Sequence, residues 1–247
     1  MEVHRHSHTE RKKWTHYFWD FLMLFLAVFC GFLAENIREH KIEKEREKQY
    51  IETMIDDLKE DTILLNKKVT EYRQKGIELD SLFLLLNLPG NKEYGAALYY
   101  YGRKANRFDF FTSTDRTIQQ MKNSGAFRLI RNNNAANNIL KYYSELSELY
   151  RLQQGTDDLM MDYRLISYTL FDPIVFQSMV NDRTENNITY PPDNPSLITN
   201  EKAPIQRLSS IIHYLQGSRM ALNKMYIGLK KQAAELIEIL KTEYHLK

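Results

Sequence analysis

The chain has 247 residues, a net charge of +2 with both signs interleaved, and a single cysteine, Cys30. That balance leaves no basic face for nucleic acid, and one thiol excludes a disulfide framework and a thiolate metal site. Nine glycines and six prolines favour long helices over a many-turned β architecture.

Residues 1–13 form a short basic tail with His4, His6 and His8 and the cluster Arg11-Lys12-Lys13. Alternating imidazoles are able to ligate zinc, copper or nickel. In a polar tail they read as solvated side chains, and no metal or other cofactor is assigned.

Residues 14–34, WTHYFWDFLMLFLAVFCGFLA, follow. A run of about 20 apolar residues matches the hydrocarbon core of a bilayer. Trp14, Tyr17 and Trp19 crowd one end, where amphipathic rings favour the membrane–water interface. The run outlasts the roughly 7–15-residue apolar centre of a signal peptide, and Phe32 spoils a small-x-small cleavage pattern ending at Ala34. It reads as an uncleaved single-pass anchor. Four Lys and Arg precede it and five lie in residues 35–48, nearly a tie under the positive-inside rule. The Arg11-Lys12-Lys13 cluster abuts the membrane, so the expected orientation has the tail cytoplasmic and the large domain periplasmic, in a bacterial inner membrane. Asp20 lies within a turn or two of that basic end and reads as interfacial rather than as part of an ion route. Asp20, Ala27, Cys30 and Ala34 share one stripe, and Ala27-x-x-x-Gly31 is a small-xxx-small pair. Small residues let membrane helices approach closely, so self-association and lipid contact are both open for these five positions.

From residue 35 the charged helix continues to about Leu88. Its apolar positions step by four and three: Ile51, Ile55, Leu58, Thr62, Leu65, Val69, Tyr72, Gly76, Leu79, Phe83, Leu86. This is a sustained heptad seam. One unbroken helix from about Trp14 to Leu86 is therefore expected, with Gly76 its weakest point. Asp56, Asp57, Glu60 and Asp61 cluster on two turns and read as a solvated face beside Lys59, Lys67 and Lys68. Leu88-Pro89-Gly90-Asn91 stops the helix.

An aromatic-rich segment follows, Tyr94 to Phe111, with a short helix from Lys92 to about Lys104. Its Tyr99, Tyr100, Tyr101 and Phe108 are candidates for partner contact, since aromatic anchors among polar groups make binding hot spots. The competing reading is core packing under a loop. Thr112-Ser113-Thr114-Asp115 offers N-capping side chains to the next helix, and Gly125 is a natural left-handed stop. Asn132-Asn133-Asn134 opens a helix through Leu140, Tyr143, Leu146 and Tyr150 that passes Gly155 and reaches about Leu170. Asp172-Pro173 marks its end. Residues 181–203 form a polar loop holding Pro191-Pro192 and Pro195. The last helix runs from about Pro204 to Tyr244 on the seam Ile205, Leu208, Ile212, Leu215, Arg219, Leu222, Tyr226, Leu229, Ala233, Leu236, Leu240, Glu243.

The expected fold is all-α. A transmembrane helix (14–34) continues into a long helix of an elongated antiparallel helical bundle (35–247). Several short patterns also resemble a family: Tyr50-Ile51, Asp57-Leu58-Lys59, Met121-Lys122-Asn123-Ser124-Gly125, Leu129-Ile130-Arg131-Asn132 and Tyr142-Tyr143, all downstream of a membrane helix. Over about residues 15–150 the chain is similar to a widespread family of uncharacterised bacterial single-pass membrane proteins. The resemblance implies an anchored helical domain and brings no activity with it.

The chain has no P-loop, HExxH, GxSxG, paired CxxC or Glu-x-x-His pattern. The expectation is a non-enzymatic interaction or scaffold protein, an accessory subunit of an envelope complex that contacts the bilayer and either a protein partner or a second copy. A sensory ectodomain signalling through a partner, and an enzyme with an unrecognised site, are the alternatives.

Overall fold

The computed structural model describes residues 14–180 and 187–246. The expectations for the basic tail, including His4, His6, His8 and Arg11-Lys12-Lys13, fall outside these residues. The helices are α1 (Trp14–Asn87), α2 (Gly95–Ala105), α3 (Arg116–Ser124), α4 (Asn133–Ser167), α5 (Pro173–Ser178) and α6 (Lys202–Glu243). Two 3-10 turns, Asn91–Tyr94 and Ala126–Leu129, link them. The only β pairing among the described residues is the isolated bridge Val180–Ile188.

Helix α1 is unbroken through Gly76, as the seam requires. It ends where Gly90 takes a positive φ of 75°. Gly125 closes α3 at φ 67°, the left-handed stop expected of it. Asn132 caps α4, its side chain accepting from the Ala135 N–H at 3.0 Å. Helix α4 stops at Ser167, slightly before the expected end. Asp172-Pro173 does more than end it, because Asp172 caps the separate short helix α5.

The contacts divide the chain into residues 1–50 and 51–247. Side chains from Trp14 to Ala34 are exposed, apart from a half-buried Leu22. An 18-residue window there has a mean hydropathy of 2.0 and is 0% buried. The rings of Phe21, Phe25 and Phe29 stack along one side at 6.3 and 5.8 Å. This helix is long and apolar enough to cross a membrane.

The second unit begins at Ile51, the first residue of the seam. Before it, residues 35–48 are exposed except for a half-buried Glu43 and a buried Glu47. Every seam residue of α1 from Ile51 to Leu86 is buried except Thr62 and Phe83, which are half-buried. Burying a Leu or Ile side chain contributes about 1.5–3 kcal/mol. Helix α6 runs antiparallel to this part of α1: Asn66 meets Lys230, Asp80 meets Gln216, and Asn87 meets Ser209. It is antiparallel to α4 as well, with Asn132 against Glu243, Glu145 against Gln232, and Gln153 against Tyr226. The segment from α2 to α3 returns along α1, with Lys104 at Glu78, Asp109 at Lys68, and Thr117 at Asp57. One core cluster gathers Leu79, Leu82, Leu98, Tyr99, Tyr163, Phe171, Leu208 and Ile212.

Candidate functional site

The aromatic segment is held by the polar loop that follows α5. Gly95 lacks the Cβ that would stand 2.0 Å from the Pro195 carbonyl oxygen, so the loop lies directly on α2. Asn194 Oδ1 accepts the Ala96 N–H at 2.8 Å, and its Nδ2 donates to the Lys92 and Glu93 carbonyls at 3.3 and 3.2 Å. Tyr99 is fully buried. Its hydroxyl donates to the Ser196 carbonyl at 3.2 Å and accepts the Asp172 N–H at 2.8 Å, while its ring packs edge-on against Phe171 and Phe176. Tyr99 is therefore a core residue tying α2 to the loop and to α5, not a contact surface. Phe108 is half-buried, edge-on to Tyr72 at 5.8 Å and under Lys75 Nζ at 5.6 Å, and it too is packing.

Tyr100 and Tyr101 remain at the surface, half-buried. Tyr190, half exposed, stacks on Tyr100 with centroids 4.1 Å apart and planes 10° from parallel. Lys104 Nζ lies 5.1 Å from the Tyr100 centroid. Burial, then a hydrogen bond with Tyr101, raise the Tyr190 hydroxyl above the ordinary tyrosine range. The chain distance from residue 100 to 190 hid this pairing from any local pattern.

The carboxylates of α1 correct the solvated-face expectation in part. Asp56 and Glu60 are exposed, but Asp57 and Asp61 are only 3% and 1% exposed. From another helix, Asp57 caps α3 and Asp61 holds the turn that leads into it. Asp57 Oδ2 accepts the Thr117 N–H at 2.9 Å, and Asp61 Oδ1 accepts the Thr114 N–H at 2.6 Å. Asp115 holds the N-cap position but makes no side-chain cap bond. Arg116 grips Asp57 Oδ1 at 2.8 Å and Glu60 at 3.1 Å, and the Tyr142 hydroxyl donates to Asp61 Oδ2 at 2.6 Å. Burial raises the Asp61 pKa, outweighing the Thr114 and Tyr142 hydrogen bonds. Burial also raises the Tyr142 hydroxyl, with Asp61 adding to it. These groups anchor α3; no metal-binding group of three or more His, Cys, Asp or Glu occurs among the described residues.

Two clefts flank α2 and Arg107. One, of about 520 Å³, is lined by Glu71, Lys75, Glu78, Lys104, Phe108 and Asp109, among others. Its charges neutralise each other: buried Glu78 accepts from Lys75 at 2.8 Å and from Lys104, and Lys68 pairs with Asp109 and Glu71. Burial lowers the Lys75 pKa despite Glu78. For Lys104 the burial penalty is overcome by the Glu78 hydrogen bond, and its pKa rises.

The other cleft, of about 670 Å³, lies among α2, the end of α4 and α5. Arg103, Arg107 and Arg164 line it with Asn106 and Ser167, over Tyr163, Phe171, Pro173 and Phe176. Tyr163 is buried and donates to the Gly102 carbonyl at 2.8 Å. Gly102 leaves room for the Phe171 ring, 2.6 Å from where a Cβ would stand. Burial first, then the like charge of Arg103, lower the Arg107 pKa. Sequence reasoning missed this cleft. Arg103 and Arg107 are four residues apart, a signal within reach, but Arg164 comes from a distant helix.

Asp20, Ala27, Cys30, Gly31 and Ala34 all lie exposed along the apolar part of α1, and Gly31 has open space where a Cβ would be. Compared with known proteins, the chain matches no family model, no curated protein and no solved structure.

Proposed function

We propose that this is a single-pass protein of a bacterial inner membrane, with the tail in the cytoplasm and an antiparallel helical bundle in the periplasm. It acts without catalysis, as an accessory or scaffolding subunit of an envelope complex. The observation that carries the membrane reading is the bare apolar face of α1: Trp14, Trp19, Phe21, Leu24 and Phe32 are each more than half exposed. Water would penalise such a surface and lipid would not.

The partner surface is the aromatic patch of Tyr100, Tyr101 and Tyr190 with Lys104. Rigid rings of this kind make large contacts at small entropic cost, and here the stacked pair is fixed before any partner arrives. Crosslinking and copurification from detergent-solubilised membranes test the reading. A Tyr190→Ala chain should lose its partner and keep its melting temperature. Recovery of the same partner at full yield from both chains would move the interface elsewhere. For orientation, protease added to spheroplasts should remove the domain; protection until the inner membrane is lysed would reverse the topology.

A further inference from the structure

We infer that the cleft at the middle of α6, bordered by α1 and α4, binds a small zwitterion, an α-amino acid with an apolar side chain. This goes beyond protein recognition and uses none of the Tyr100–Tyr190 patch. The cleft has a volume of about 660 Å³ and is lined by Asp80, Leu152, Tyr214, Gly217, Arg219 and Met220, among others. Small-molecule sites of this size are mostly apolar, with a few polar groups that fix orientation. Two of the lining groups carry opposite charges, and neither answers the other. Asp80 accepts from the Gln216 amide at 2.7 Å, and Arg219 Nη1 donates to the Tyr72 carbonyl at 3.4 Å. Among the described residues neither makes an ion pair, so each charge is met only by a neutral group.

Arg219 occupies a seam position of α6 between the buried Leu215 and Leu222, where the repeat calls for an apolar side chain. It is half-buried, its buried Nε has no hydrogen-bond partner, and its guanidinium is seated on Gly76, where a Cβ would lie 2.8 Å from Cζ. A partly desolvated charge with unfilled donors is destabilising unless a counter-charge reaches it, and a glycine inside a helix adds to that penalty. Breaks in a local rule of this kind collect at functional sites. A carboxylate supplies the counter-charge, because the guanidinium fork matches its two oxygens. Gly76 and Asp80 are four residues apart on α1, so they share a face and lie about 6 Å apart along the axis. An ammonium and a carboxylate on one carbon span that interval, with a hydrogen bond of about 2.8 Å at each end. Leu152, Tyr214 and Met220 surround the ligand's side chain with apolar surface. Gly217 keeps that face of α6 open, with nothing within 4 Å of where a Cβ would stand.

The test is calorimetric titration of the full chain in phosphatidylcholine nanodiscs with L-leucine and L-phenylalanine, each beside two analogues that keep one charge. These are isocaproate and isoamylamine for leucine, hydrocinnamate and phenethylamine for phenylalanine. At least one amino acid should bind, about tenfold or more tighter than both of its analogues. Asp80→Asn keeps an acceptor for Gln216 and should bring the amino acid down to the level of its carboxylate analogue. Arg219→Gln should bring it down to the level of its amine. Gly217→Leu should occlude the cleft and remove binding while the melting temperature holds, since its side chain enters open space. Asp80 is exposed, so its variant decides the matter even if Arg219→Gln melts early. Failure of both amino acids to bind overturns the inference, as does undiminished binding in Asp80→Asn or Gly217→Leu. Carboxylate analogues that bind as tightly as the amino acids overturn it too, because Asp80 would then read no ammonium. Partner copurification is read separately, so neither result stands in for the other.

Discussion

Gly76 and Arg219 interrupt the apolar seams of α1 and α6, and each explains the other. A Cβ on Gly76 would lie 2.8 Å from the Arg219 Cζ, and Arg219 Nη1 donates to the Tyr72 carbonyl at 3.4 Å. The missing side chain is the berth of the guanidinium. Other glycines sort by the same measure. Gly155 and Gly228 sit inside helices with nothing within 4 Å of a Cβ. Gly155→Ala and Gly228→Ala should each stabilise by up to about 1 kcal/mol, from helix propensity alone. Gly102→Ala should instead destabilise by about 1–3 kcal/mol, because a Cβ there would force the buried Phe171 ring to shift. Chemical denaturation of the three variants checks both signs. Asp61 sets a pH dependence. Its folded pKa is raised above the ordinary 3.8, so the folded state holds the proton more tightly than the unfolded one. Stability from this group is greatest at acid pH and falls as pH rises from about 3.8 through the raised value. Asp61→Asn keeps an acceptor for Thr114 and should flatten that part of the stability–pH curve. An unchanged slope would place its origin elsewhere.

The long helices were legible in the sequence because a 3-4 step records burial directly: Ile51 to Leu86 on α1 and Leu208 to Leu240 on α6 are the residues that pack. Stops at Gly90 and Gly125 were legible for a related reason, since the left-handed backbone they need selects glycine. The short elements were less so. Helix α3 carries good local capping residues, yet its Thr117 N–H is satisfied by Asp57 of α1, and Asp61 holds the Thr114 N–H just before the helix, each more than fifty residues earlier. A carboxylate near lysines in sequence looks solvated; only the path of the return segment shows what covers it. The same holds for Glu78, buried between Lys75 of its own helix and Lys104 of α2. Removing one member of a buried charge group leaves the others desolvated. Glu78→Ala should therefore cost about 3 kcal/mol and loosen α2, read as faster amide exchange from Gly95 to Ala105. Loss of stability without that local exchange would mean that α2 is held by its apolar face alone.

Over the whole molecule, the seam and the apolar run make separate demands on α1. Among the described residues the run at 14–34 is exposed, whereas the seam from Ile51 is buried within the second unit. A chain of residues 45–247 should therefore need neither lipid nor a second copy to fold. It should be soluble and monomeric in analytical ultracentrifugation, strongly helical, and melt in one cooperative transition, because its core, from Ile51 to Leu240, is complete. The full chain should sediment with membranes and resist extraction by high salt or alkaline carbonate. If the shortened chain dimerises at micromolar concentration and melts with a concentration-dependent midpoint, the seam of α1 is satisfied between chains, as in a coiled coil, and the antiparallel arrangement with α6 is wrong. If instead it folds as a monomer, the exposed stripe of Asp20, Ala27, Cys30, Gly31 and Ala34 becomes the place to look for self-association, and Gly31→Leu in the full chain should weaken any membrane-dependent dimer without altering the melt of the domain.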